Sequence, residues 1–357
     1  MYDHILVTGG AGFAGSTLAV RLKREFPEAR ITAFDNLRRR GSELNLPHLA
    51  RAGVAFVHGD VRSPADLEAL PPPGLIIEAS AEPSAQAGYG GSPGYLVETN
   101  LNGCFHCLEL ARRHRADLLL LSTSRVYPVR RLNALAWRED ETRFTLLEDQ
   151  SVPGASAAGI GEDFPLEGPR SLYGMTKLAA ELMVTEYADA YGLRTVIDRF
   201  GLIAGPRQMG KTDQGVAALW MAAHYYRRSL RYIGFGGTGK QVRDILHVDD
   251  FCDLVVRQVR SFDRYNGRLF NVGGGLANSL SLREMTALCR EITGNQIELE
   301  NGPEDRPADV RIYITDHRRL TQFDGWQPRH DPRTTQTDIW QWIREEEDLL
   351  RPLLGAW

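Results

Sequence analysis

A glycine-rich turn near the N-terminus constrains the fold more than any other feature of this sequence. Residues 4–8 predict a short apolar strand, the run Gly9-Gly10-Ala11-Gly12-Phe13-Ala14-Gly15 follows, and residues 16–26 predict a helix. A second predicted strand, residues 31–34, leads into Asp35, which lies ~20 residues beyond the last glycine. This order of strand, glycine-rich turn, helix, strand and acid is typical of a dinucleotide-binding βαβ unit.

Each part of this pattern has a physical reason. The glycines permit a tight turn and a close approach of a pyrophosphate, whose charge is attracted by the unpaired N–H groups of the helix N-terminus. Asp35 is placed to accept hydrogen bonds from ribose hydroxyls and to repel a 2′-phosphate, which favours NAD over NADP. Residues 38–40 are arginines that could hold such a phosphate, but we interpret them as a solvated loop because Asp35 precedes them.

The alternation of strands and helices continues along the chain. Apolar runs predict further strands at residues 54–57, 75–79, 118–121 and 195–198. We therefore expect an α/β fold, with a Rossmann-type doubly wound parallel sheet over residues 1–199. A smaller mixed α/β substrate-binding region is expected over residues 200–357, interleaved with the first. Residues 137–169, rich in Gly, Pro, Ser and acids, predict a long insertion loop.

Tyr173 and Lys177 are the strongest candidates for chemistry. They lie four residues apart at the start of a predicted helix that continues to about Tyr191, and this spacing puts both side chains on one helical face. An ammonium favours the phenolate form of a nearby tyrosine, which can then take a proton from a hydroxyl and return it. By itself the pair could also be an exposed surface pair. Thr123 follows the strand at 118–121, and ligands bind beyond the carboxyl ends of such strands.

The composition excludes several classes of function. The formal net charge of −4 gives no positive field for nucleic acid, and no apolar run reaches the ~20 residues of a membrane-spanning helix. The N-terminal residues run directly into a predicted strand, so we expect no signal peptide. Among four cysteines, Cys104 and Cys107 form a C-x-x-C pattern in an apolar predicted helix, residues 103–111, and we interpret them as core residues. We expect a cytoplasmic protein that binds no metal, nucleic acid or membrane.

Motifs spread over most of the chain resemble those of one family. Besides the glycine-rich turn and the Tyr173–Lys177 pair, they are Gly59-Asp60-Val61, Ser122-Thr123, Gly205-Pro206-Arg207, residues 240–250 and Asn271-Val272-Gly273-Gly274. Together they resemble the extended short-chain dehydrogenase/reductase family, and within it the nucleotide-sugar epimerases and dehydratases. The resemblance implies NAD as the cofactor and a nucleotide sugar as the substrate.

The resemblance also assigns roles to individual residues. Tyr173 would be the catalytic base, Lys177 would support it and hold the cofactor ribose, and Thr123 would hydrogen-bond the reacting oxygen. The residues implied to bind the cofactor are Gly9, Gly12, Phe13, Ala14, Gly15, Asp35, Asn36, Asp60, Val61, Ala79, Ala81, Asn100, Tyr173 and Lys177. Those implied to bind the substrate are Thr123, Gln208, Gln214, Arg243 and Arg306, and the arginines suit a diphosphate. His247, near Asp249 and Asp250, is implied to start a helix and not to bind a metal.

The residues after Thr123 separate the two kinds of enzyme. Sugar dehydratases of this family place Asp-Glu there, whereas this chain has Ser124 and Arg125, so elimination of water would lack its acid and base. Several stretches resemble the CDP-paratose 2-epimerase group in particular. They are Asp35-Asn36-Leu37 with Arg39 and Gly41, Asn45-Leu46, residues 141–144, Arg207-Gln208, Asp213-Gln214-Gly215, residues 239–244 and residues 278–282.

The resemblance thus implies an NAD-dependent epimerase that inverts carbon 2 of a CDP-hexose or CDP-6-deoxyhexose through transient oxidation. A UDP-hexose 4-epimerase, an NAD(P)-dependent nucleotide-sugar reductase and a dinucleotide-binding sensor without chemistry stay open as alternatives. The sugar is open because the chain departs from relatives at Pro128 and at residues 202–204. A further departure is Glu78-Ala79-Ser80-Ala81, where relatives usually carry His-x-Ala-Ala.

A homodimer or homotetramer is a further implication of the resemblance. The pairing would use the helices that start near Asn100 and Tyr173. Leu178, Leu182 and Met183 supply apolar positions at helical spacing on the second of these helices.

Overall fold

A computed structural model describes residues 2–211 and 214–355. The strands, numbered β1 to β17 in chain order, are His4–Thr8, Arg30–Asp35, Ala55–His58, Leu75–Glu78, Asp117–Thr123, Trp137–Glu139, Phe144–Leu146, Ala155–Ser156, Gly159–Ile160, Thr195–Phe200, Leu202–Ala204, Leu230–Ile233, Val242–His247, Arg268–Val272, Ser279–Ser281, Leu299–Gly302 and Ile312–Tyr313.

The α-helices, numbered α1 to α14 in chain order, are Phe13–Glu25, Leu46–Arg51, Pro64–Glu68, Gly94–Val97, Gly103–His114, Val129–Asn133, Leu172–Tyr191, Val216–Tyr226, Val248–Arg260, Phe262–Tyr265, Leu282–Thr293, Arg318–Asp324, Pro332–Glu345 and Glu347–Leu354. Within residues 2–211 and 214–355, none of these helices combines the length and the apolar character that crossing a bilayer requires.

The chain forms two compact units. Unit 1 contains the residues up to Thr123, then Leu172–Arg199 and Cys252–Phe270. Unit 2 contains Ser124–Ser171, Phe200–Phe251 and the residues from Asn271 onward.

Unit 1 is built on a parallel sheet that confirms the predicted Rossmann-type fold. In its described residues the sheet has seven strands in the order β3-β2-β1-β4-β5-β10-β14. Val7 of β1 pairs with Ala33 of β2 on one side and Ile77 of β4 on the other. The strand order therefore reverses between β1 and β4, and the carboxyl ends of these two strands mark the switch point where such sheets bind ligands.

The core of unit 1 joins this sheet to helices α5 and α7. Cys104 and Cys107 of α5 are fully buried in one apolar cluster with sheet residues such as Leu118 and with Ala180 and Val184 of α7. The interpretation of the C-x-x-C pattern as core packing is thus confirmed. Burial also raises the pKa values of both thiols, which keeps them protonated.

Unit 2 contains a smaller sheet and several paired short strands. Strands β11, β13, β15 and β17 form one sheet, in which β13 pairs in parallel with β11 and β17 and antiparallel with β15. The prediction of a plain insertion loop at residues 137–169 was wrong, because β6–β7 and β8–β9 form antiparallel pairs there. Packing rather than local propensity explains the first pair, since Phe144 is 5 % exposed and its ring lies 5.0 Å from that of Trp137.

Two helix boundaries differ from the sequence-based expectation. Helix α1 begins at Phe13 and not at Ser16, because the turn already adopts helical geometry after Gly12. Asn100 does not open a helix. It lies inside the π-helical turn Glu98–Asn102, which joins α4 to α5. The helix predicted to run to about Tyr191 is confirmed as α7.

Candidate active site

The glycine-rich turn between β1 and α1 forms a backbone cradle. Gly9 has a φ of 62°, which favours glycine, and its carbonyl accepts the Gly12 N–H at 3.0 Å. A Cβ on Gly15 would lie 2.2 Å from the same carbonyl oxygen, so no side chain fits there. Helix α1 begins with Phe13 and Ala14, and its N-cap residue Gly12 has no side chain to bond the first N–H groups of the helix. These N–H groups are therefore available to an anion. The turn therefore fits the pyrophosphate of a dinucleotide.

Asp35 ends β2 beside this turn. Its Oδ2 accepts a hydrogen bond from the Ala11 N–H at 3.1 Å, and its Oδ1 accepts one from the Leu37 N–H at 2.7 Å. Burial raises the pKa of the Asp35 carboxyl, and these amide hydrogen bonds offset part of that effect. The acid is thus held at the edge of the cradle, in the place expected of a ribose-binding residue.

Asn36 and Asp60, predicted to bind the cofactor from two different loops, lie in contact. The Asn36 Nδ2 donates to the Asp60 Oδ2 at 2.8 Å, and Arg62 forms an ion pair with the same carboxylate at 2.7 Å. Partial burial opposes ionisation, but the hydrogen bonds from Arg62 and Asn36 lower the pKa of Asp60 to about 2. Val61 is 5 % exposed and faces Gly103, where a Cβ would lie 2.7 Å from its Cγ2.

The segment after β4 approaches the cradle closely. A Cβ on Gly9 would lie 2.7 Å from the carbonyl oxygen of Ala79. Asn100 holds the same segment, because its Oδ1 accepts the Glu82 N–H at 2.8 Å and its Nδ2 donates to the Glu82 carbonyl at 3.2 Å. Ala81 lies between, half-buried. The structure thus gives Asn100 the role of a brace for this segment.

Helix α7 carries both candidate catalytic residues into the interior of unit 1. Tyr173 is 8 % exposed and Lys177 is 1 % exposed, so the alternative of an exposed surface pair is wrong. Thr123, the last residue of β5, is also buried. Three side chains suited to proton transfer and hydrogen bonding are therefore buried in unit 1, where electrostatic interactions are stronger than in water.

The Lys177 ammonium has a carboxylate partner that the sequence analysis did not predict. Its Nζ lies 3.3 Å from the Oε2 of Glu78, the last residue of β4, and the Ser80 hydroxyl donates to the other oxygen of that carboxylate. Burial lowers the pKa of Lys177, but the charges of Glu78 and Tyr173 outweigh it and leave the pKa above its usual value. Lys177 is therefore a buried cation at neutral pH.

A second buried network fixes the same helix one turn further on. Glu181 of α7 accepts hydrogen bonds from Arg199, with Nε at 3.0 and 3.1 Å from its two oxygens and Nη2 at 2.7 Å. The hydroxyl of Ser122, which precedes Thr123, donates to the same carboxylate at 2.5 Å. This network ties α7 to strands β5 and β10 and so sets the position of the catalytic candidates.

In unit 2, the two arginines predicted to bind substrate meet at one buried acid. Arg243 Nη2 lies 3.2 Å from Asp309 Oδ1, and Arg306 Nη2 lies 3.2 Å from Asp309 Oδ2. Burial lowers the pKa of Arg243 to about 10, and the charge of Arg125 acts in the same direction. A cluster of guanidinium groups of this kind suits a phosphate ligand.

Gln208 and Gln214 lie on one loop of unit 2. The side-chain Nε2 of Gln208 donates to the Ile203 carbonyl at 2.9 Å, while Gln214 forms an isolated β-bridge with Lys211. The side-chain oxygens of both glutamines are buried and have no hydrogen-bond partner among the described residues. Asp213, one of the residues that carried the family resemblance, lies outside the described residues.

In the described part of the chain, one set of potential metal ligands lies close together, namely His247, Asp249 and His330. His247 Nδ1 accepts the Asp249 N–H at 3.0 Å, so the neutral ring carries its proton on Nε2, which lies 3.3 Å from Asp338. His330 Nδ1 is bonded to Asp250 at 2.9 Å. A metal on His247 Nε2 would have to displace its proton. His247 is the last residue of β13 and directly precedes α9, and we interpret it as structural.

Two acids at these sites carried signals that the sequence analysis did not use. Glu78 directly follows the fully buried residues 75–77, and an acid at the end of such a strand requires a buried partner. Asp309 stands three residues after Arg306, but its contact with Arg243 spans 66 positions. Neither partner could be identified without the fold.

Comparison with known proteins gives independent findings. The model of the NAD dependent epimerase/dehydratase family matches residues 5–273. The chain is 30% identical over 346 residues to the CDP-paratose 2-epimerase of Salmonella typhi, across 95% of this chain and 98% of that protein. It is 28% identical over 348 residues to the UDP-glucose 4-epimerase of Corynebacterium glutamicum, across 94% of each.

Solved structures show the same fold. A UDP-glucose 4-epimerase from Thermus thermophilus, solved in complex with NAD, matches with a TM-score of 0.76 at 24% identity, across 96% of this chain and 99% of that chain. A dTDP-glucose 4,6-dehydratase from Bacillus anthracis, also in complex with NAD, matches with a TM-score of 0.75 at 23% identity, across 98% of this chain and 99% of that chain.

Proposed function

Since the chain belongs to the NAD dependent epimerase/dehydratase family, whose cofactor is NAD, we propose that it is a nucleotide-sugar epimerase. It acts on carbon 2 of a CDP-hexose or CDP-6-deoxyhexose. The carbon is oxidised to a ketone and then reduced from the opposite face.

One observation supports epimerisation over elimination of water. Tyr173 and Lys177 are present and buried, whereas the positions after Thr123 hold Ser124 and Arg125 and no carboxylic acid. A reversible oxidation needs one base for a hydroxyl proton, which the tyrosine provides. Elimination needs a further acid and base at the neighbouring carbons.

The residues of unit 1 have separate tasks in this reaction. The cradle from Gly9 to Gly15, with Asp35, would hold NAD, and the bound cofactor would supply reversible hydride transfer at the sugar carbon. Tyr173 takes the hydroxyl proton and gives it back, and Lys177 stabilises the phenolate. Thr123 donates a hydrogen bond to the oxygen on which charge develops.

We assign the two arginines of unit 2 to substrate binding. Arg243 and Arg306 grip the diphosphate, because guanidinium groups can bind phosphate oxygens in pairs. Gln208 and Gln214 supply amide groups for the nucleotide or the sugar. An anchored diphosphate lets the keto sugar present its other face without leaving the enzyme.

Carbon 2 and a CDP-linked sugar rest on the relative from Salmonella typhi, which is named a CDP-paratose 2-epimerase. The relative from Corynebacterium glutamicum supports the second candidate, a UDP-glucose type 4-epimerase that uses the same tyrosine on another carbon.

Isotope labelling separates these reactions. The enzyme is incubated in heavy water with CDP-sugars and with their 2-deuterated forms, and a panel of UDP-, GDP- and dTDP-sugars serves for comparison. We expect inversion at carbon 2, retention of its deuterium and no uptake from solvent. Inversion at carbon 4 alone favours the second candidate, and solvent deuterium at carbon 3 or 5 contradicts direct hydride transfer. If no nucleotide sugar is turned over, the epimerase proposal is wrong and the alternative of a dinucleotide-binding sensor without chemistry is favoured.

The purified protein is expected to retain its cofactor, because an epimerase regenerates NAD in each cycle. Denaturation and analysis of the supernatant should release NAD or NADH in near-equal amount to protein. Stoichiometric consumption of added NADPH would instead identify a reductase.

We also propose a homodimer that pairs through helices α5 and α7. These helices contact each other where the Tyr187 hydroxyl donates to Glu109 at 2.8 Å. Phe105 of α5 and Met175 and Leu182 of α7 are exposed by 41%, 39% and 61%. Apolar side chains exposed on adjacent helices are typical of an association surface.

The test of this interface is the Leu182→Glu variant, which places a charge on the proposed contact. We expect light scattering to give a dimer for the wild type and a monomer for the variant. Leu349→Glu is the matched control, since Leu349 is similarly exposed, at 58%, on α14. A wild-type monomer at all concentrations contradicts the proposal.

A cytoplasmic location is proposed on the state of the cysteines. Cys104, Cys107, Cys252 and Cys289 are all buried thiols that form no disulfide. Free thiols suit a reducing compartment. Fractionation of cells that produce the protein should recover it with cytoplasmic markers, and recovery in a secreted fraction would contradict this.

A further inference from the structure

Glu78 is a buried acid next to the candidate catalytic residue Lys177. It ends β4 at the switch point of the sheet, and its side chain is fully buried after the apolar residues 75–77. A charge removed from water costs free energy unless a partner compensates it. Here the partners are the Ser80 hydroxyl on one oxygen and the Lys177 ammonium on the other.

Lys177 interacts electrostatically with both Glu78 and Tyr173. Its ammonium has three N–H donors, and the bond to Glu78 at 3.3 Å engages one of them. Tyr173 is one helical turn away on the same face of α7, and its charge acts on Lys177 together with that of Glu78. The Glu78 carboxylate and the Tyr173 phenolate thus both interact with the one buried ammonium group of Lys177.

The other titratable groups around this pair are the thiols of Cys104 and Cys107 on α5. Both are fully buried, and burial raises their pKa values so that they stay neutral. The hydroxyl of Ser80 carries no charge. Among the groups of the described residues that act on Lys177, Glu78 is therefore the carboxylate that can balance the ammonium.

We propose that Glu78 is a positioning residue for the reaction, which holds the Lys177 ammonium in place and sets the pH at which the Tyr173–Lys177 pair loses its proton. This inference deepens the proposed function and rests on it for the identity of the reaction. Its physical basis is charge balance: the Glu78 carboxylate offsets the Lys177 ammonium, so loss of a further proton leaves a net negative charge in a buried cluster.

Glu78→Gln tests the charge while conserving the shape. The amide oxygen can still accept the Ser80 hydroxyl, but the negative charge is lost. Because the cluster then becomes neutral when the proton leaves, we expect the acidic limb of the kcat profile to move to lower pH by roughly 1–3 units. KM should change little, since no contact with the substrate is removed.

Asp198→Asn is the matched control. Asp198 is another fully buried acid of unit 1, but its partner is Gln258, at 3.0 Å, and not a candidate catalytic residue. This variant should leave the pH profile of kcat in place. A profile of Glu78→Gln that coincides with the wild type, or an equal shift in both variants, overturns the proposal.

A second readout needs no substrate. Tyrosinate absorbance is titrated in the wild type and in Glu78→Gln, and the same titration of each chain with Tyr173→Phe is subtracted. The Tyr173 signal should appear at lower pH in Glu78→Gln, and an unchanged midpoint overturns the proposal. Because this measurement is independent of turnover, a failure of the proposed function on every nucleotide sugar stays distinguishable from a failure of this inference.

Glu78→Asp keeps the experiment decisive if the glutamine variant does not fold. It retains the charge but withdraws the carboxylate by one methylene from Lys177. We expect the midpoint to move in the same direction by a smaller amount. A midpoint equal to that of the wild type, in a folded Glu78→Asp protein, overturns the proposal.

Discussion

Helix α7 carries two buried ion pairs one turn apart, and they differ in geometry more than in burial. The side chains of Lys177 and Glu78 are 2% and 1% exposed, and those of Arg199 and Glu181 are 5% and 4% exposed. Arg199 nevertheless engages both oxygens of Glu181, at 2.7 to 3.1 Å, whereas Lys177 makes a single contact at 3.3 Å. Burial alone therefore does not identify which pair serves catalysis.

The difference follows from the chemistry of the two cations. A guanidinium presents a planar fork that matches a carboxylate and leaves it fully bonded, which suits a structural connection between α7 and β10. An ammonium is a compact charge with rotatable donors, and it keeps capacity for other partners after one hydrogen bond. We infer that the fork fixes the helix so that the ammonium can serve Tyr173.

The largest expected effect separates chemistry from structure within α7. Tyr173→Phe removes the proposed base, so kcat should fall by about 10²- to 10⁴-fold while bound NAD is retained and the melting temperature hardly changes. Tyr187→Phe is the matched control on the same helix, since its hydroxyl bonds to Glu109 at 2.8 Å and takes no part in the reaction. Near-native activity of Tyr173→Phe would show that another group is the base.

Breaking the structural pair should act first on the stability of the fold. Arg199→Met leaves the Glu181 carboxylate buried without its cation, which costs about 3–5 kcal/mol in the free energy of unfolding. Urea unfolding of the variant measures this loss. The double variant Arg199→Met/Glu181→Leu should recover much of the stability because no uncompensated charge is left. A loss below about 1 kcal/mol in the single variant would contradict the structural role.

Asp198 extends the comparison to a buried acid without a cation. Burial raises its pKa to about 7, and the hydrogen bond from Gln258 offsets only part of this. The unfolded chain releases this proton near pH ~3.9, so this group lowers the stability of the fold progressively as the pH rises from ~4 to ~7.

Asp198→Asn should remove that pH dependence. The free energy of unfolding of the variant minus that of the wild type should increase between pH 4 and 7, by on the order of a few kcal/mol in total. Above pH 7 this difference should stay constant. Urea unfolding at pH 5, 6, 7 and 8 measures the difference. A difference that is equal at all four values would contradict the raised pKa of Asp198.

The smallest effects distinguish two adjacent hydroxyl residues. Thr123→Ala removes the proposed hydrogen bond to the reacting oxygen, so kcat should fall roughly 5- to 10-fold with stability maintained. Ser122→Ala removes the hydrogen bond to Glu181 and should cost about 1 kcal/mol of stability with little change in kcat. If Ser122→Ala lowered kcat and Thr123→Ala lowered only stability, Ser122 and not Thr123 would be the residue that assists the reaction.

The sequence by itself determined the parts of this protein that depend on neighbouring residues. The glycine-rich turn, six of the seven described strands of the parallel sheet and helix α7 follow from local patterns, because backbone freedom and apolar periodicity act over a few positions. Strand β14 was not predicted. The same patterns brought Tyr173 and Lys177 to one helical face. Local reasoning was wrong where packing decides, as at residues 137–169, where two strand pairs replace the expected loop.

Only the tertiary structure decided which charges meet. Glu78 and Lys177 are 99 positions apart, and Arg243 and Asp309 are 66 apart. Asn100 likewise became a brace for Glu82, 18 positions away, instead of the start of a helix. A buried charge must find a partner, but the partner is whichever residue the folded sheet and helices bring within reach, and no local pattern in the sequence specifies that residue.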